Sequence, residues 1–201
     1  MNRPALLCCL LLIACAPAPA AAPPVAPVAA APGFEWPAQP GWRKETIPFP
    51  LEFAPELPYR GVEELRFAPG FFDARSPGFW SYGFVWFLEG TPDTSPAAIA
   101  RELRRYFQGL CGAVAKGKYT FDAERIGVTL ERAPNAPDAI GEARVFDAFK
   151  TGQELLLKLR MRTLVCPQAK RTAVLIVASP RPWSDAIWKQ IEVQARAFSC
   201  R

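Results

Sequence analysis

The sequence predicts an α+β fold, one antiparallel sheet packed with two main helices, and three observations predict it. Residues 82–88 (Tyr-Gly-Phe-Val-Trp-Phe-Leu) are apolar on both alternating faces, the mark of a central strand covered on both sides. Apolar residues recur at three- and four-residue spacing twice, through Ile99, Leu103, Tyr106, Phe107 and Leu110 and again through Ile187, Ile191, Ala195 and Phe198. Each series gives a helix one buried stripe. Between them the period shortens to alternation, clearest where Leu157, Leu159 and Met161 interleave with Lys158, Arg160 and Arg162.

The elements follow in order. Residues 33–70 are rich in proline and aromatics, and the pieces at 46–49, 51–53 and 63–67 are each bounded by proline or glycine. They are expected as short or edge strands, where proline is tolerated. Trp36, Trp42, Phe49 and Phe53 are expected as lids over a core. Phe71, Phe72, Phe79 and Trp80 are expected to pack inward, with an exposed protein- or glycan-binding ridge as the alternative. Ser95 then caps a helix with Pro96 in its first turn, and Gly109 and Gly112 mark its expected end. Residues 126–131 alternate weakly before a break at Pro134 and Pro137. Residues 142–149 and 154–165 form an expected hairpin turning at 150–153, with Asp147 a candidate partner for the cations across from it. A fully apolar strand at 173–178 precedes the last helix, 184–198, with Ser184 as cap and Asp185 in the first turn.

This order, short strands, strong strand, helix, four strands, helix, resembles the PsbP/Mog1-like fold over residues 46–199. The parallels are 83–88 ahead of the 95–110 helix, 141–149 running into 155–164, and 174–180 ahead of the final helix. The resemblance implies an opening pair of strands, a long helix, an antiparallel meander and a C-terminal helix that packs back. The proline-rich 48–70 departs from a compact opening hairpin, and a related roll or cystatin-like sheet fits the same order.

The N-terminus carries a different signal. Arg3 gives a positive start, residues 5–14 are apolar, and the run ends Leu12-Ile13-Ala14-Cys15. Ten apolar residues are too few to span a bilayer as a helix and read as the core of a signal peptide. The pattern resembles the bacterial lipoprotein signal. That resemblance implies cleavage after residue 14, lipid on Cys15, and, with Ala16 rather than aspartate next, sorting to the outer membrane if the host is diderm, where the domain is expected to face the periplasm. A secreted soluble protein cut within 14–22 is the alternative. Residues 16–33 are almost all Ala, Pro and Val, an extended spacer that reaches up to roughly 50 Å. The expected organisation is signal peptide 1–14, lipidated cysteine and tether 15–33, and a single α+β domain 34–201.

Chemistry is limited by what the chain lacks. It has no histidine, which removes the usual general base, the familiar serine triad and most zinc sites. No phosphate-binding loop, dinucleotide fingerprint or calcium loop occurs, so no metal or cofactor is expected. The formal charge of +5 falls to +4 once Arg3 leaves with the signal, too weak an excess to indicate nucleic acid. Glu63 and Glu64 are the densest acidic pair, but strand neighbours point to opposite faces. Of the domain's Cys111, Cys166 and Cys200, one pair can bridge in an oxidising compartment. Cys166–Cys200 is the attractive pairing because it pins the chain end to a strand terminus, although the sequence alone does not choose.

The expected function is a non-enzymatic envelope lipoprotein that binds or scaffolds another envelope component. Lipid on Cys15 ties it to the membrane, and the candidate binding face is Arg144, Lys158, Arg160 and Arg162, suited to an envelope protein, a glycan or an anionic lipid. A solvated sheet face is the plainer reading of those cations. The alternative function is a carboxylate-based hydrolase acting on cell-wall or surface glycan, which needs two carboxyl groups across a deep cleft.

Overall fold

A computed structural model describes residues 33–134 and 138–201. The signal peptide, Cys15 and the tether through residue 32 lie outside the described residues, as do Asn135 and Pro137 of the expected break. Strands β1 (Phe34–Glu35), β2 (Arg43–Pro48), β3 (Gly61–Phe67) and β4 (Tyr82–Glu89) precede helix α1 (Pro96–Ala115). Then come β5 (Gly127–Arg132), β6 (Ala139–Phe146), β7 (Glu154–Cys166), β8 (Arg171–Ser179), helix α2 (Ala186–Arg196) and β9 (Ser199–Cys200). Seven strands form one sheet in the order β2-β3-β4-β8-β7-β6-β5, antiparallel throughout, while β1 and β9 make a separate two-stranded ribbon. The α+β architecture and the four strands between the helices are as the sequence predicts.

The helices cover opposite faces of the sheet. β4 lies within the sheet and is buried on both sides: Tyr82, Phe84, Trp86 and Leu88 join the α1-side core, and Val85 and Phe87 the α2-side core. α1 crosses β5 and β6, and α2 packs on β8 and β4. Ser95 caps α1 by accepting from the Ala98 amide at 3.3 Å, with Pro96 in the first turn. The helix does not stop at Gly109 or Gly112. It runs on to Ala115 and ends at Gly117, whose φ of +76° favours glycine. Gly109 has a packing role instead: a methyl group there would overlap the Phe53 carbonyl.

Three other boundaries differ from expectation. Residues 51–53 form a turn with one bridge, Leu51 to Ala54, because Pro48, Pro50 and Pro55 break any ladder; the turn still buries Leu51 and Ala54. β6 lies three residues earlier than 142–149, because Asp147 belongs to the turn. The cap of α2 is Asp185, accepting from the Ile187 amide at 3.0 Å, rather than Ser184.

Cys166 at the end of β7 is disulfide-bonded to Cys200 in β9, with Cα atoms 5.4 Å apart. Cys111 is free and buried, and burial pushes its thiol up to about 11, so it stays protonated. The bridge closes a 34-residue separation. Loop-closure entropy for that length predicts that Cys200→Ser lowers stability by ~3–4 kcal/mol. Denaturant titration of parent and variant checks this, and coincident midpoints would refute it.

Candidate functional site

α1 leaves part of its sheet face to be covered by loops. Over β2, β3 and β4 that cover comes from residues 49–59 and 68–80, which leave a cavity of about 600 Å³. Its inner wall is buried and largely aromatic: Leu65, Phe67, Phe71, Trp80, Tyr82 and Tyr106. The rim is more exposed and includes Phe53, Phe72, Phe149, Arg43, Glu45 and Glu52. The Arg43 guanidinium lies 4.9 Å from the Phe67 and Phe72 ring centres and pairs with Glu45 at 3.4 Å. Phe71, Phe79 and Trp80 point inward as expected, while Phe72 is half-buried at the rim. Of the expected lids, Trp36 and Trp42 close the α2-side core, and Phe49 and Phe53 the α1 side.

The polar chemistry is gathered at the buried side of this cavity. Glu63 sits opposite Ile47 in the β2–β3 pair, behind a wall formed by Ile47 and Tyr106, and is fully buried. Its Oε1 accepts from Trp86 Nε1 at 3.1 Å, while Oε2 has no partner. Burial is the main cause that pushes its carboxyl up to about 8; the hydrogen bond from Trp86 and the nearby Tyr106 phenol oppose the shift, and the Glu45 charge adds to it. Tyr82 lines the cavity at 2% exposure with its Oη unpartnered, and burial, then the Glu63 charge, holds its phenol well above the ordinary value. Tyr106 is raised for the same reasons. At neutral pH this region therefore consists of uncharged polar groups among aromatic rings.

Glu63 and Glu64 do point to opposite faces. Glu64 lies on the α2 side, where it pairs with buried Arg66 at 2.9 Å. That Glu63 is fully buried was not anticipated from the sequence. The available signal was its place in the alternating series Glu63, Leu65, Phe67, which aligns a carboxyl with core positions.

Three of the four cations of the candidate basic face, Lys158, Arg160 and Arg162, are paired with carboxylates. Arg144, Lys158, Arg160 and Arg162 share the α2 side of the sheet, Lys158 opposite Glu142 and Arg160 opposite Ile140. Lys158 meets Glu142 at 3.5 Å, Arg162 meets Asp138 at 3.2 Å, and Arg160 pairs with Glu192 of α2. Arg160 also lies 5.4 Å from the Trp183 ring centre. The expected partner Asp147 is elsewhere: its buried carboxylate accepts from the Phe149, Lys150 and Thr151 amides and the Thr151 hydroxyl, shaping the 147–153 turn. Arg144 is exposed and lines a separate hollow with Asp122, Arg125 and Glu154. The face is thus of mixed charge.

Among the described residues there is no cluster of three or more His, Cys, Asp or Glu that would hold a metal ion, and no helix is long and apolar enough to cross a membrane. No protein-family model matches this chain, and no curated protein does. Among solved structures, the crystal structure of LpqN, involved in cell envelope biogenesis of Mycobacterium tuberculosis, is similar at 12% identity and a TM-score of 0.32, with 84% of this chain and 85% of that chain covered.

Proposed function

We propose that this chain is a non-enzymatic envelope lipoprotein that binds another envelope component, with the lipid on Cys15 as its anchor and the aromatic cavity as its receiving site. The domain then stands off the periplasmic side of the outer membrane on its Ala/Pro spacer. The observation that carries the binding reading is the cavity of about 600 Å³ with a buried, largely aromatic inner wall. That size is typical of small-molecule sites. The ion-paired face of Lys158, Arg160 and Arg162 supports it less, because its cations are already matched by carboxylates.

Two variants test the two halves. Cys15→Ser should move the protein from the membrane fraction to the soluble fraction; retention in the membrane would overturn the anchor. Val114→Trp, placed on the cavity lining, should keep the membrane location and lose any compound that mass spectrometry finds released on denaturing the purified parent. The same compound in equal yield from both proteins would overturn the cavity as the site. The carboxylate-hydrolase reading has one observation in its favour: Glu45 and Glu52 line the cavity that Glu63 backs. Sugar release from purified cell wall by the parent and not by Glu63→Gln would put it in place of the binding reading.

A further inference from the structure

We infer that the cavity takes a cationic amphiphile, a ligand with an alkyl or aryl body and one protonated amine, the body inside and the ammonium at the mouth beside Glu52. The inference rests on the binding reading above and names the ligand class for that same site.

The body follows from the surface that a ligand can touch. Ile47, Phe53, Phe72, Leu110, Val114 and Phe149 line the cavity and are each only partly buried. Behind them the polar atoms are sealed from solvent: Glu63 Oε2 and Tyr82 Oη have essentially no accessible surface. Contact inside the cavity is therefore with rings and alkyl groups, and removing these from water favours any apolar body that covers them. A charged head carried in among them would lose its hydration with no polar group to meet it, so the head stays at the mouth.

The sign of the head follows from the mouth. The charged residues of the lining are Arg43, Glu45 and Glu52. In β2, Arg43 stands opposite Phe67 and Glu45 opposite Leu65, and the chain reaches Glu52 just past the end of the strand. The Arg43 guanidinium is already engaged, by Glu45 at 3.4 Å and by the Phe67 and Phe72 rings, whose centres are 4.9 Å away. Glu52 is exposed and has no ion-pair partner among the described residues. One guanidinium against two carboxylates leaves the lining with a net negative charge, and it is located at Glu52. An ammonium there keeps its water on the open side and gains that attraction. A carboxylate is repelled by Glu52 and must compete with Glu45 for Arg43. The mouth also runs against the rest of the chain, whose net charge is +5. General electrostatic attraction to the protein favours an anion, so a preference for a cation has to arise at the cavity itself.

The test uses the full chain carrying Cys15→Ser, so that no attached acyl group competes. N-phenyl-1-naphthylamine, an uncharged fluorophore, reports occupancy. Decylamine, decan-1-ol and decanoate, each below its aggregation limit, compete at pH 7.5 and low ionic strength. The expected result is displacement by decylamine at a concentration about tenfold below that of decanoate, a gap that narrows as salt is added. Glu52→Gln should raise the decylamine concentration needed by about threefold and leave that of decan-1-ol within about twofold. Val114→Trp, with Leu110→Phe as a milder occluding change in case the first does not fold, should weaken fluorophore binding. Decanoate competing as well as decylamine or better, or no effect of Glu52→Gln on decylamine, overturns the ligand class and leaves the binding reading standing. A parent that does not bind the fluorophore, or folded occluded variants that bind it as well as the parent, overturns both.

Discussion

Between about pH 5 and pH 8 the parent should lose stability steadily, and Glu63→Gln should abolish that loss. The Glu63 carboxyl is pushed up from 4.5 to about 8, chiefly by burial. In that window the folded chain keeps a proton that the unfolded chain releases, so each rise in pH favours unfolding, and the effect levels off above the folded-state value. The stabilisation is therefore complete below the ordinary carboxyl value and gone above pH 8. A shift of that size corresponds at most to about 4–5 kcal/mol across the window. Glutamine keeps the shape and an oxygen for Trp86 Nε1 without a titrating proton. The variant should match the parent near pH 5 and exceed it near pH 9 by several kcal/mol. Denaturant titrations at a series of pH values measure both slopes, and parallel profiles would sink the prediction.

Arg66→Met should cost about 3–5 kcal/mol, the range for stripping one partner from a buried ion pair. The Arg66 and Glu64 side chains are 5% and 7% exposed and meet at 2.9 Å. The guanidinium also donates to the Leu65 carbonyl at 2.8 Å and, through Nη2, to the Trp36 carbonyl at 2.6 Å, and it stacks 4.6 Å from the Trp36 ring centre. Without it, the Glu64 carboxylate keeps only the Thr46 hydroxyl, at 2.6 Å, among its side-chain partners. The double variant Arg66→Met with Glu64→Gln should recover most of the loss, because it removes the stranded charge as well. A single variant within about 1 kcal/mol of the parent would refute this account.

Local chemistry decided how much was legible beforehand. Ser95 and Pro96 announce the start of α1 because a cap and its first-turn proline act within four residues. Its end was hidden because Gly109 answers to the Phe53 carbonyl, a neighbour distant in sequence. The central strand was legible from composition alone, since both its faces are apolar. For the site, the inward packing of Phe71, Phe79 and Trp80 could be read from the core area that large aromatics supply, and the shared face of Lys158, Arg160 and Arg162 from periodicity. Their partners could not, because Glu192 comes from α2 and Asp138 from the edge of β6. The cavity was illegible for a similar reason: it is the space that two irregular loops fail to fill beside α1.

The β1–β9 ribbon bears on how the domain answers a pull at its N-terminal end. Tension applied at Gly33 first meets the pairing of Phe34 with Cys200, and that cysteine is covalently joined to Cys166. Cys166 ends β7, a strand flanked by β6 and β8 within the sheet. Phe34, packed against Phe87 at 4.8 Å and Phe198 at 5.6 Å, loads the α2-side core at the same point. Force is thus delivered to the middle of the sheet rather than peeling its β2 edge, and reducing one bond would reroute that load path.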